Sequence, residues 1–198
     1  MSPTEVCNMA LGRFGARRIS DFDTDTSVNA IQCRLQYAQT RRALIRSHWW
    51  GFAKTRVQLS QTTAPAFQWT YAYLLPSDWL RLIGIYESGA DNPIEESTET
   101  WEREGNTIIS DMSTVYLRYI RDVEDPNSWD SLFVEVMVLS LARKLVIPLS
   151  QDLKMKKDID DDLIPLMSKV RAMDRTEQEH IGRDELKTWV DARNTNTA

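Results

Sequence analysis

Apolar residues recur at three- and four-residue steps near both ends of the chain and alternate in short runs through its middle, so the two ends read as helix and the middle as strand. The spacing predicts a short helix over 3–12, with Pro3 in the first turn, Val6, Met9 and Ala10 on one face, and Gly12 as a stop. The Asp-Thr-Asp-Thr-Ser run that ends at Ser27 supplies cap residues for a long helix over 27–48. Val28, Ile31, Leu35, Ala38, Ile45 and Trp49 form one stripe along that helix, and Arg34, Arg41, Arg42 and Arg46 flank it.

From Phe52 the period changes. Residues 52–60, 80–87 and 115–123 read as strands, Tyr71 to Pro76 is extended because Pro76 disfavours helix at Leu75, and 62–67 is a loop. Gly105-Asn106 between 99–104 and 107–111 is a hairpin signal, for five or six short strands in all. Helix resumes after Asp125-Pro126-Asn127. Residues 128–147 are apolar on almost every side and should be buried, with Pro148 as the end. A last helix over 151–179 carries Ile159, Leu163, Leu166, Val170 and Met173, with a kink expected at Pro165. The order predicts an α+β fold: a bundle of about four helices (1–50 and 128–180), a β-rich insertion between the second and third helices (51–127), and a tail (181–198).

The 198 residues are 42% hydrophobic and 27% charged, an ordinary globular mixture. Cys7 and Cys33 are too few for a disulfide scaffold or a four-cysteine zinc site, and reduced thiols made in a cytosol are expected. The first 18 residues hold no signal-peptide core, and the most apolar run, 132–149, is interrupted by Glu135, Arg143, Lys144 and Pro148, so neither secretion nor a membrane span is expected.

Catalytic chemistry finds little footing. The acidic run Asp158, Asp160, Asp161, Asp162 fails as a calcium loop, because the sixth and twelfth positions counted from Asp158 hold Leu163 and Lys169. His48 and His180 lie in no catalytic motif, and neither GxSxG nor a glycine-rich phosphate loop occurs. No enzymatic activity, metal or cofactor is expected. Carboxylate pairs of the glycosidase kind are not judged by sequence spacing, which leaves a cell-wall hydrolase as one alternative reading.

Charge and tryptophan change the picture. The formal charge is −5, yet residues 1–58 hold nine basic and four acidic side chains, and 87–135 hold three basic and 13 acidic ones. Such asymmetry fits either a nucleic-acid face or one copy's basic end meeting the next copy's acidic side. A DNA-binding regulator using the arginines of 27–48 is therefore a second alternative. Seven tryptophans exceed what one core of this size fully buries, and indoles favour interfaces. The candidate partner interface comprises Arg41, Arg42, Arg46, Trp49, Trp50 and Trp101, with the small amphipathic patch Leu186, Trp189 and Val190 in the tail.

Five fragments then occur in a family's order. Cys7-Asn8-Met9-Ala10-Leu11-Gly12-Arg13-Phe14-Gly15-Ala16-Arg17-Arg18-Ile19 resembles the opening CNxALxRLGAxxI of the tail tubular protein A family, the head-to-tail adaptors or gatekeepers of short-tailed double-stranded DNA bacteriophages. Arg41 to Ala53 resembles RxxLLRSHPWNFA, departing locally where Trp49-Trp50-Gly51 stands for Pro-Trp-Asn, and Trp69 to Leu82 resembles WxYAYxLPxDxLRL. The stretch from Glu104 to Asp111 with Leu117-Arg118-Tyr119-Ile120, and the helix ending in Pro148-Leu149, complete the series over about residues 4–173.

The resemblance implies a structural virion protein: a ring, typically of twelve copies, joining the portal to the tail nozzle, with tail fibres nearby and DNA passing through its lumen without sequence-specific binding. It implies a helical side facing the portal, a β-rich side facing the nozzle, no membrane partner and no cofactor. The acidic β section is then a candidate lumen or nozzle face, a solvated edge being the equal alternative. Leu186, Trp189 and Val190 are expected to dock on the portal or a neighbouring copy.

Overall fold

The computed structural model describes residues 1–87 and 100–178. Two helices, α1 (Pro3–Gly12) and α2 (Val28–Ser47), precede seven strands, and α3 (Ser131–Ser150) and α4 (Leu153–Gln178) follow them. This is the expected α+β order, with the strands inserted between the second and third helices.

Local chemistry explains the helix starts. Ser2 caps α1 reciprocally: its hydroxyl accepts from the Glu5 amide at 3.2 Å, and the Glu5 carboxylate accepts from the Ser2 amide at 2.6 Å. Ser27 caps α2, and Asp130 caps α3 by accepting from the amides of Leu132 and Phe133. Pro148 does not end α3, correcting the expected boundary: the helix runs on to Ser150 and stops where Gln151 turns left-handed at φ 56°. A proline in the last turn removes a single hydrogen bond, and tight packing of the preceding helix outweighs that loss.

The strands form two antiparallel sheets. One has the order β1 (Lys54–Gln58), β7 (Tyr116–Arg121), β4 (Trp79–Tyr86). The other runs β2 (Ser60–Thr62), β3 (Tyr71–Leu74), β6 (Thr107–Ser110), β5 (Trp101–Glu104). The hairpin between β5 and β6 turns at Gly105, whose φ of 54° suits a residue without Cβ. Strand β4 is offset from β7 at two irregularities, between Trp79 and Arg81 and between Leu82 and Gly84. Entry and exit are joined, since β1 pairs with β7 from Lys54 opposite Ile120 to Gln58 opposite Tyr116.

Among the described residues there are two cores. The larger lies among the helices, where Phe133 is ringed edge-on by Trp50 at 5.0 Å, Phe52 at 4.9 Å and Trp129 at 5.3 Å. The smaller lies in the β insertion, around Tyr73, Leu75, Ile108, Met112 and Leu117.

Helix α2 departs from expectation in the face it buries. Its inner face is Ala30, Cys33, Tyr37, Thr40, Arg41, Leu44 and Ile45. Of the stripe read from the sequence, Ile45 faces inward, whereas Val28, Ile31 and Leu35 are 66%, 43% and 57% exposed, and Ala38 is exposed beside them. The helix has two apolar stripes, and packing against α3 selects the one richer in small and aromatic residues.

Candidate functional site

The residues singled out from the sequence separate into an internal strut, a core anchor and an exposed surface. Arg41 is the strut. Its Nε and Nη2 donate to the two carboxylate oxygens of Asp122 at 2.9 and 2.8 Å, and Nη2 also donates to Glu124 Oε1 at 2.7 Å. This side-on fork ties α2 to the segment leaving β7. Burial opposes the charge on Asp122, but the hydrogen bonds from Arg41 and Arg42 outweigh it and hold the carboxyl below its ordinary 3.8. Burial likewise opposes the charge on Arg41, and Asp122 and Glu124 raise its pKa in spite of it.

Arg41 and Trp50 therefore fail as partner contacts. Arg41 is buried, and Trp50 is 1% exposed with its indole N–H donating to Leu44 O at 2.9 Å. Neither leaves surface to offer another molecule. Arg42 is mostly exposed and reaches Asp122 at 2.7 Å, while Arg46 donates to the carbonyl of Leu80. Arg34 donates to the carbonyls of Phe22 at 2.7 Å and Asp25 at 2.9 Å. The arginines of α2 thus serve intramolecular bonds, which weakens the reading of this helix as a DNA reader.

Trp49 and Trp101 remain at the surface, and Arg81 lies over the Trp49 ring at 5.7 Å. Leu186, Trp189 and Val190 lie outside the described residues. The exposed stripe of α2 joins the candidates, and its visibility as a hydrophobic period was the signal that could have found it. Phe67, Leu74, Leu153 and Ile164 are further large apolar side chains open to solvent.

His48, at the end of α2, bonds through Nε2 to Asp174 on α4 at 2.9 Å. Burial pushes its pKa below the ordinary 6.5; Asp174 pulls the other way, and Arg171 and Arg175 add to the depression. Near neutral pH the contact is accordingly a neutral imidazole N–H donating to a carboxylate. Among the described residues no group of three or more His, Cys, Asp or Glu converges as a metal site, and no helix is long and apolar enough to cross a membrane. Cys7 and Cys33 are both buried free thiols, and Cys7 is pushed upward by the neighbouring Cys33 and by burial.

No protein-family model matches the chain, and no curated protein matches it at a significant level.

Proposed function

We propose that the chain is a structural subunit of a ring adaptor between the portal and the tail nozzle of a short-tailed DNA bacteriophage. The observation that carries this reading is the outward stripe Val28, Ile31, Leu35 and Ala38 on a long, well-capped helix whose other face is already packed. An aliphatic row of this kind is what a neighbouring subunit covers. A closed ring needs two different patches that fit after a fixed rotation, and the basic first third and acidic middle of the chain supply opposite charge for them. The five ordered sequence fragments that resemble the adaptor family support the same role. The partners are then sister copies, about twelve to a ring on the family pattern, with the portal, the nozzle and nearby tail fibres. Double-stranded DNA passes through the lumen, and the protein, made in the host cytoplasm, resides in the virion.

The experiment mixes purified chain with portal rings and counts bound copies by native mass spectrometry. A closed ring on the portal is expected, and Leu35→Glu should prevent it while leaving the monomer folded. Absence of any stable complex, with the wild-type chain folded, would sink the proposal.

A further inference from the structure

On the outer face of α2, Val28, Ile31, Leu35 and Ala38 are exposed, with Arg42 next in line. Their steps of three and four residues are those of a heptad seam, the narrow stripe along which two helices pair. The row from Val28 to Ala38 is about 15 Å long. Its four side chains are wholly aliphatic, so no polar contact competes for them.

The two ends of the row carry opposite charge. Beyond Ala38 stands Arg42, which spends Nε on Asp122 yet keeps 58% of its side chain exposed. Before Val28 lies the loop of Asp21, Asp23 and Asp25, held to α2 by Arg34 through the carbonyls of Phe22 and Asp25. Arg34 projects about 80° around the helix from the row, so this loop lies along its margin. Asp21 and Asp25 accept hydrogen bonds within the loop. Asp23 is exposed, and among the described residues its carboxylate is in no ion pair. Arg17 is held on the other side, where Asn29, about 140° from the row, donates to its carbonyl at 2.7 Å.

We infer that the free chain pairs with a second copy of itself by laying α2 antiparallel on α2 about a two-fold axis. This sets Val28 against Ala38 and Ile31 against Leu35, so every aliphatic side chain of the row meets one from the sister copy. It also brings Arg42 of each copy to the end where the other carries Asp23, opposite charges that steer the two into register. A parallel pair would instead stack Arg42 on Arg42 and leave a gap where Ala38 meets Ala38. A seam of four aliphatic side chains is small, so the pair is weak and reversible.

A two-fold contact closes with two copies and does not recur around a ring. The stripe must therefore be released from its sister before a ring neighbour can cover it, and the pair holds the free protein back from premature assembly. That consequence rests on the adaptor reading; the pairing does not.

The test is sedimentation velocity of the intact chain without portals. A species of twice 22.9 kDa should grow in as the concentration rises through the micromolar range. Leu35→Glu should stay monomeric throughout, and Asp23→Lys should weaken pairing about fivefold. Val28→Cys and Ala38→Cys chains treated with a short bismaleimide should crosslink only when the two are mixed. The native Cys7 and Cys33 are buried and stay out of that reaction.

Four results would overturn the inference. They are a chain still monomeric at millimolar concentration, a pair that survives Leu35→Glu, and Val28→Cys alone crosslinking as well as the mixture, which marks a parallel pair. The fourth is a monomer whose Val28→Cys thiol resists maleimide, which would mean that the chain covers its own stripe. Rings on portals without a sister pair would refute this inference and leave the adaptor reading standing; a pair without rings would do the reverse.

Discussion

The helical bundle and the β insertion solve the same packing problem to different degrees. In the bundle, the indole N–H groups of Trp50 and Trp129 reach the carbonyls of Leu44 and Val123 at 2.9 and 2.8 Å. In the insertion, the buried indole nitrogens of Trp69 and Trp79 have no hydrogen-bond partner among the described residues. The bundle too leaves gaps, at Tyr37 Oη and Ser140 Oγ, but its large core carries them. The insertion divides its strands between two small sheets, and β2 and β5 at the edges of the second are exposed along their whole length. Its stability accordingly leans on what it is attached to. The contrast teaches that the bundle is the self-sufficient part and the β insertion the dependent one.

The deepest cut into the bundle is Phe133→Ala. Removing the ring at the centre of three aromatic contacts should cost about 3–5 kcal/mol in urea-induced unfolding. If the insertion depends on the bundle, tryptophan fluorescence and far-ultraviolet dichroism should lose both parts in one transition; two separated transitions would refute the dependence.

Cutting the link between the regions comes next. Asp122→Ala leaves the buried Arg41 guanidinium with Glu124 as its remaining carboxylate and should cost about 3 kcal/mol. The same link gives a pH signature. The folded pKa of Asp122 lies below the unfolded value of 3.8, so its contribution is complete above 3.8 and fades as pH falls through the lower folded value. Asp21, Asp25, Asp111 and Asp125 are held low as well, so the diagnostic is the difference between wild type and Asp122→Asn in acid.

Within the insertion, Ile108→Val should cost about 1 kcal/mol, measured by thermal unfolding. The smallest effect on stability is expected at Leu35→Glu, within about 0.5 kcal/mol, because the side chain is already in water. A much larger loss would mean that the stripe on α2 packs within its own chain.

Much of this fold was legible from local rules. Pro3 and Gly12 bracket α1, and Gly105-Asn106 marks the turn of a hairpin. Where the reading failed, non-local packing decided. Val28, Ile31 and Leu35 are the more obvious hydrophobic row, but α2 buries Cys33, Tyr37 and Arg41 instead, and Arg41 is tolerable there only because Asp122 arrives from 81 residues away. The same distance hid the strut: an arginine in a row of arginines reads as surface until its partner is located. A cleft lined by Arg81, Arg118 and Arg171 was hidden for a related reason, since these residues are far apart in sequence and converge only when β4, β7 and α4 are assembled.

The pairing of β1 with β7 has a consequence for how such a chain can change. These two strands form a stem whose open end faces the helices and whose far end is closed by Leu59 N–H donating to Val115 O at 2.9 Å, while β4 lies along the other edge of β7. Lengthening, trimming or exchanging the material beyond the stem alters what is displayed there without moving the point where the backbone leaves α2 or rejoins α3. A shortened variant that keeps residues 54–58, 79–86 and 116–121 paired is thus the natural minimal scaffold for grafting.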